Sequence, residues 1–296
     1  MKNIKRIISI LAAAAVILPV VSCAGGPTSV DDGNFNIVTS FYPMQILTMN
    51  VAGGIDGVTV NCMSAPDIGC IHDHVFTTED LRLVENADVY VENGLELETF
   101  NDRLLTAYPE LTIVEASSAV TDAPRDGEEV NGHVWTSIDD YMIQVMTVSD
   151  ALSEADPEHA SQYSSNAQIY IEKLEDLANR YDDVLTGLEG RGVLVLDESL
   201  PSFCVYAGMD YITIETDHEQ SALSAGDMRE VIEYMNANDV ELIFAGSDTD
   251  SDIAEAVASE TGAVIYTLNT CISGDVDADA YITQMEENLE LLGSAG

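Results

Sequence analysis

The stretch Cys70-Ile71-His72-Asp73-His74 holds two of the five histidines in this 296-residue chain. Imidazole and carboxylate groups are the side chains that bind first-row divalent metal ions. A third histidine, His133, lies further along in the stretch Gly132-His133-Val134-Trp135. We therefore expect the two stretches to form two arms of one metal site. The rest of the chain would then be the scaffold that brings them together.

The N-terminal segment has the pattern of a bacterial export signal. A short basic segment precedes an apolar run over residues 7–21, which is too short for a comfortable membrane-spanning helix. The run ends in Val20-Val21-Ser22-Cys23, which resembles a lipobox. We predict a signal peptide over residues 1–22, a lipidated Cys23 and a flexible tether over residues 23–34. An ordinary secretory cleavage beside an incidental cysteine is the alternative. In the lipoprotein case the mature protein is extracytoplasmic and lipid-anchored to the bacterial cell membrane.

The composition is strongly acidic, with 53 Asp and Glu against 10 Lys and Arg and a net charge of −43. Such a surface repels phosphates, so nucleic acid is excluded as a partner. The chain is nevertheless 46% hydrophobic, which excludes a disordered acidic polymer. The charge indicates a solvated, salt-tolerant surface. A field that concentrates cations near a cleft is the alternative interpretation.

Strand-like and helix-like segments alternate along the chain, and this order predicts parallel sheets covered by helices. The alternation is interrupted by one long helical stretch that opens at Pro157, and it restarts after Gly190 and Gly192. We therefore predict an α/β fold with two βα lobes joined by one long helix. The expected limits are an N-terminal metal-binding lobe over residues 35–156, a linking helix over 157–189 and a C-terminal lobe over 190–296.

Polar residues follow the predicted strands of the second lobe, namely Asp197, Glu198, Asp248 and Asn269. Ligands of open α/β sheets bind at the carboxyl ends of the strands. We expect a metal cleft between the lobes in which His72 and His133 face Asp197 and Asn269. Two imidazoles, one carboxylate and one neutral oxygen suit zinc or manganese. An added carboxylate from Glu198 or Asp248 would favour manganese or iron.

The remaining histidines have less specific surroundings. His74 is either a further ligand or only a neighbour of His72, because residues two apart in an extended segment point the same way. His159 is expected in the first turn of a helix, in solvent. His218 is expected at the surface, with the metal site as its alternative.

Four cysteines follow Cys23, namely Cys62, Cys70, Cys204 and Cys271. An exported protein permits disulfides, and four cysteines allow three pairings that the sequence does not distinguish. A direct metal role is also conceivable for Cys70, because it lies two residues before His72.

An enzymatic function has no motif to support it. The sequence contains no His-Glu-x-x-His, no Gly-x-Ser-x-Gly and no P-loop. Glu198 beside a metal ion could still act as the general base of a metal-dependent hydrolase. We predict a protein that is not an enzyme and keep the hydrolase as an alternative.

Over about residues 35–293 the chain resembles the zinc- and manganese-binding lipoprotein components of bacterial ABC importers. The stretches that carry the resemblance are Ile37 to Pro43, His72-Asp73-His74, Asp80 to Asp88, Asn93-Gly94-Leu95, His133-Val134-Trp135, Ala151 to Glu158, Asp197 to Leu200, and Leu268-Asn269. The resemblance implies two lobes joined by one long helix, with a metal ion held between them and passed to a membrane permease.

The resemblance also assigns ligands. The first histidine of the family falls on His72, with His74 where an aromatic residue is usual, and the second falls on His133. The third ligand, His in zinc-type members and often Glu in manganese-type ones, falls on Asp197. The fourth, an Asp in the family, falls on Asn269. The acidic segment 121–132 stands in place of the His-rich loop of many zinc-type members.

These observations together predict a monomeric solute-binding protein that captures zinc or manganese for an ABC permease. The long helix is expected to limit lobe motion, so that metal release requires only small local movements. An adhesin-like surface protein with a degenerate metal site is the further alternative.

Overall fold

The computed structural model describes residues 33–71, 74–127, 129–214, 225–247 and 251–293. The predicted signal peptide, the lipidation site Cys23 and the predicted ligand His72 lie outside the described residues, as do His218 and Asp248. Within those ranges, none of the helices combines the length and the apolar character needed to cross a membrane.

The N-terminal lobe is built on a parallel sheet of four strands with the order β2-β1-β3-β4. Its strands are β1 (Phe35–Thr39), β2 (Val58–Cys62), β3 (Val89–Glu92) and β4 (Thr112–Glu115). Strand β3 is buried at every position, because helices cover both faces of a parallel sheet.

The helices of this lobe are α1 (Tyr42–Ala52), α2 (Thr78–Val84), α3 (Asn101–Ala107) and α4 (Ile138–Ala155). Helix α2 begins with a capping box in which Thr77 and Asp80 bond reciprocally. Helix α4 begins after Ser137, whose Oγ accepts a hydrogen bond from the backbone N of Asp140 at 3.2 Å. A short hairpin, β5 (Arg125–Asp126) and β6 (Glu129–Val130), and a 3-10 turn, Val134–Thr136, precede α4.

Helix α5 (Ala160–Leu188) is 29 residues long, or about 44 Å at ~1.5 Å per residue. Its buried residues recur at intervals of three, four or seven positions, as expected of a helix with one apolar face: Tyr163, Ala167, Tyr170, Leu174, Leu177, Tyr181 and Leu188. This face packs against α1 and α4 of the first lobe and against the last helix of the chain, α9 (Ala280–Gly293). The long helix therefore contacts both lobes.

The C-terminal lobe repeats the architecture, with a parallel sheet of order β10-β9-β7-β8. Its other elements are β7 (Gly192–Val195), α6 (Pro201–Tyr206), β8 (Asp210–Thr213), α7 (Ala225–Ala237), β9 (Leu242–Gly246), α8 (Ser251–Thr261) and β10 (Val264–Leu268). Numbered within each lobe, both sheets have the order 2-1-3-4. The predicted fold, two βα lobes with parallel sheets joined by one long helix, is confirmed.

Buried side chains tie the two lobes together. Trp135, which is fully buried, donates from Nε1 to the carbonyl oxygen of Thr270 at 2.9 Å, and its own carbonyl accepts from the Tyr281 hydroxyl at 2.9 Å. The Oγ1 of Thr136 donates to the carbonyl oxygen of Ser199 at 2.7 Å. These bonds and the shared apolar core hold the lobes in one arrangement around the segment that carries His133.

The four cysteines within the described ranges carry thiols, so the structure forms none of the disulfide pairings left open by the sequence there. Cys204 and Cys271 are buried in the shared core. Burial raises the pKa of the Cys204 thiol to about 12 and raises that of Cys271 as well. Both residues therefore pack as small apolar side chains.

Candidate metal centre

A cleft of about 670 Å³ lies between the two lobes. Its walls come from residues 95–97, 99, 124–125 and 129–133 of the first lobe and from residues 195–198, 201, 211 and 213–214 of the second. Residues 195–201 follow β7, at the point where the strand order of the second sheet reverses. Such a switch point is where ligands of open α/β sheets bind.

His133 presents one ring nitrogen toward this cleft, because its other ring nitrogen is held by a neighbouring side chain. Its Nδ1 lies 2.8 Å from Asn131 Oδ1, and the same oxygen accepts from the backbone N of His133 at 2.9 Å. The Nδ2 of Asn131 donates to the carbonyl oxygen of Glu198 at 2.8 Å, which fixes the orientation of the amide. Because an amide oxygen only accepts hydrogen bonds, Nδ1 of His133 is the donor in this contact, and Nε2 is the ring nitrogen turned toward the cleft.

Two further side chains of the types that bind metal ions lie close to Nε2 of His133. The Sγ of Cys70 lies 3.0 Å and Oε1 of Glu198 lies 3.4 Å from Nε2 of His133. One ligand atom from each residue lies within 4.8 Å of the other two. A sulfur, a nitrogen and an oxygen donor therefore surround one point.

The three residues differ in exposure and come from separate parts of the fold. His133 is 5% exposed, Cys70 is half-buried and the Glu198 side chain is 41% exposed. Cys70 and His133 belong to loops of the first lobe, whereas Glu198 follows β7 of the second. The cluster is thus rooted in both lobes and open to the cleft on its carboxylate side.

Asp197 and Asn269, which the resemblance assigns as ligands, each use one side-chain oxygen in a local turn. Asp197 lines the cleft, and its Oδ1 accepts from the backbone N of Ser199 at 2.9 Å. The Oδ1 of Asn269 accepts from the backbone N of Cys271 at 2.9 Å. The backbone of Asn269 is in turn held by the Asn288 side chain.

Two histidines of uncertain role in the sequence lie in structural contacts. His74 Nε2 is 3.1 Å from Asp80 Oδ2, and the ring packs edge-on against Phe100. His159 Nδ1 is 2.6 Å from Asp156 Oδ2, just before α5. Both contacts belong to the ends of helices.

The residues of this cluster are not the same as the ligands predicted from the sequence. His133 is common to both, whereas Cys70 and Glu198 were only secondary candidates, and Asn131 had no assigned role. The spacing of Cys70 relative to His72 was the one sequence feature that pointed to the thiol. Nothing in the spacing of Asn131 distinguishes it from an ordinary loop residue.

The sequence of this chain matches a known protein family. Residues 37–295 match the family model described as zinc-uptake complex component A, periplasmic (ZnuA). The chain belongs to the ZnuA family. The resemblance drawn from the sequence motifs is therefore confirmed over nearly the whole length outside the N-terminal segment.

Individual ZnuA-family relatives and structures are similar over most of their length. The manganese-binding lipoprotein MntA of Halalkalibacterium halodurans is 26% identical over 270 residues, which cover 89% of each chain. The iron-binding protein YfeA of Yersinia pestis is 28% identical over 236 residues, covering 77% of this chain and 75% of the relative. The solute-binding protein FpvC of P. aeruginosa, solved with Ni²⁺, has a TM-score of 0.78 at 24% identity and covers 89% of this chain and 98% of its own. The last likeness shows the same fold.

Proposed function

We propose that this protein is an extracytoplasmic solute-binding protein that captures a divalent transition-metal ion, zinc or manganese, and passes it to an ABC permease. The observation that carries the proposal is the group of three donor atoms, one each from Cys70, His133 and Glu198, within 4.8 Å of one another. Two of the three residues, His133 and Glu198, line the cleft between the lobes of this ZnuA-family chain, and Cys70 contacts His133.

The hydrogen bond from Nδ1 of His133 to Asn131 favours metal capture. An imidazole binds a metal ion through a nitrogen that carries no proton, and a bond from its other nitrogen to an oxygen acceptor fixes that state. Asn131 supplies this acceptor here. The ring therefore does not need to change tautomer when the ion arrives.

The strongly acidic chain supports capture of a cation from solution. A net charge of −43 attracts divalent cations and raises their local concentration near the surface. The cleft then supplies the short-range donor atoms that hold one of them. His72, Asp197 and Asn269 remain proposed ligands.

We expect metal release without a wide hinge motion of the lobes. Trp135 and Thr136 bond directly to the backbone of the second lobe, and helix α5 packs against both lobes. We expect release to use a local displacement of the half-exposed Glu198 segment.

The cellular setting belongs to the same proposal. Residues 1–22 would form the signal peptide, Cys23 would carry lipid and residues 23–34 would tether the protein to the membrane. The lobes would occupy residues 35–156 and 190–296 as a monomer, on either side of a linking helix over 157–189. Replacing Cys23 with Ser should release the protein from the membrane fraction, and retention there would contradict lipid anchoring.

The test of the metal function is a calorimetric titration of the lipid-free mature chain with zinc and with manganese. One ion per chain, bound far more tightly than millimolar and lost in His133→Ala, is the expected result. A Kd near millimolar for both ions, worth only ~4 kcal/mol, would contradict capture. A degenerate site on an adhesin-like surface protein would then be the better account.

The alternative function for the same residues is that of a metal-dependent hydrolase. Glu198, the carboxylate of the cluster, is of the residue type that can act as a general base. The family consists of metal-transport components, and we propose that the chain is not an enzyme. Metal-dependent turnover on a panel of carboxylic and phosphoric esters would overturn this.

A further inference from the structure

We infer that the Cys70 thiolate is itself a ligand of the captured ion, and that it makes the site select thiophilic zinc-type ions over manganese. The inference rests on the proposed function, because it names the ion class that the cleft accepts. It does not require Asp197 or Asn269 to take part.

The first support is the contact between the thiol and the imidazole. Because Nδ1 of His133 is occupied as a donor to Asn131, the Sγ of Cys70 at 3.0 Å faces Nε2, the other ring nitrogen. A thiol must lose its proton before its sulfur can bind a metal ion as a thiolate. A metal ion that binds both atoms takes the place of this proton, which leaves to solvent as the thiol becomes a thiolate.

The second support is distance. Zinc bonds of about 2.3 Å to sulfur and about 2.0–2.1 Å to nitrogen, at a tetrahedral angle, separate the two donors by about 3.6 Å. The observed separation between Sγ and Nε2 is 3.0 Å. The pair must therefore open by well under 1 Å for a zinc ion to bind both atoms.

The third support is the chemistry of the donor set. Thiolate and imidazole are ligands preferred by zinc, whereas manganese prefers carboxylate, carbonyl and water oxygens. A thiolate from Cys70 and a carboxylate from Glu198 together neutralise a divalent charge. With imidazole as the third ligand, they leave one tetrahedral position open for a fourth donor.

The other cysteines of the described ranges have surroundings that differ from those of Cys70. Cys204 and Cys271 are buried in the apolar core. Cys62 lies at the end of β2 with its Sγ 3.9 Å from Ser64 Oγ, and burial raises the pKa of its thiol. Among these four, Cys70 is the thiol placed against an imidazole and a carboxylate.

The test uses Co²⁺ as a spectroscopic probe for sulfur ligation, together with competition between zinc and manganese. The proteins are the mature chain, Cys70→Ser, which keeps a hydroxyl of similar size, and Cys62→Ser as the matched thiol control. Circular dichroism establishes that each variant is folded. His133→Ala reports separately on the cleft site itself.

The expected result is a sulfur-to-cobalt charge-transfer band in the near ultraviolet for the mature chain and for Cys62→Ser, and its loss in Cys70→Ser. We expect zinc affinity to fall at least about tenfold in Cys70→Ser while manganese affinity changes little, in keeping with the loss of one ligand. The zinc-to-manganese preference should therefore shrink by a similar factor.

Two results would overturn the inference, and they differ in what they say of the proposed function. Cobalt binding that depends on His133 but shows no charge-transfer band, with an unchanged zinc-to-manganese ratio in Cys70→Ser, overturns sulfur ligation and leaves metal capture intact. Failure of the mature chain to bind any of the three ions overturns both.

Discussion

Asn131 and His133 are joined twice through one oxygen atom: Oδ1 of Asn131 accepts from the backbone N of His133 at 2.9 Å and from its Nδ1 at 2.8 Å. The same asparagine donates from Nδ2 to the carbonyl oxygen of Glu198. One side chain thus sets the tautomer of the imidazole and links it to the segment that carries the carboxylate. This arrangement makes Asn131 a positioning residue of the site.

Replacing Asn131 with Ala should weaken metal binding by about 10- to 100-fold, the range found when the hydrogen-bond partner of a metal-bound histidine is removed. Asn131→Asp keeps the acceptor and should retain most of the affinity. Calorimetric titration of both variants measures the difference. Equal weakening by Asp and Ala would contradict a role for the acceptor oxygen.

Trp135 should report on ion binding, because it is the only tryptophan of the chain and its ring centroid lies 5.2 Å from that of His133. We expect its fluorescence emission to change on addition of the bound ion and to reach a plateau at one ion per chain. The change should disappear in His133→Ala. A response that continues far beyond one equivalent would instead indicate ions collected by the acidic surface.

Glu92 should make the protein less stable as the pH rises. Burial, and then the neighbouring charge of Glu98, raise the pKa of Glu92 from 4.5 to about 8. The folded chain therefore keeps this proton between pH 4.5 and 8, whereas the unfolded chain loses it. The free energy of unfolding should fall across this window, by at most about 5 kcal/mol for this group.

Urea unfolding at several pH values measures this effect. Glu92→Gln mimics the protonated acid and should flatten the decline between pH 5 and 8, whereas the exposed control Glu110→Gln should not. A slope that is the same in both variants would show that Glu92 does not hold the proton.

Metal release should leave the two lobes in place. The bonds from Trp135 to Thr270 and from Thr136 to Ser199 cross between the lobes and are buried, so breaking them would cost about 1–3 kcal/mol each. Crystal structures with and without the ion should superpose over both sheets and differ mainly near Glu198. A rotation of one sheet against the other by tens of degrees would refute this expectation.

The fold was readable from the sequence because its signals are local and repeated. Alternating apolar segments, the glycines after the long helix and the 3.6-residue spacing within α5 each follow from burial of one face. The shared strand order 2-1-3-4 was not readable, since it depends on contacts between segments far apart in the chain. The hydrogen bonds of Trp135 to Thr270 and Tyr281 could not be predicted either, because they also join segments far apart in the chain.

The site residues could be predicted only in part, because the sequence does not show which way a side chain points. Asp197 and Glu198 are adjacent after β7, and their sequence position does not tell which one turns toward His133. In the structure Asp197 bonds to Ser199, and the next side chain, Glu198, reaches the imidazole. Metal ligation by His72, Asp197 and Asn269 stays a prediction, whereas His133 lies in the cleft where the motif led us to expect it.

The central claim, that the cleft captures one transition-metal ion through His133, is tested most directly by titrating the mature chain and His133→Ala with zinc and with manganese. The account predicts one tightly bound ion per chain, zinc preferred, and loss of that binding in the variant. Equal affinities for the mature chain and His133→Ala would contradict it.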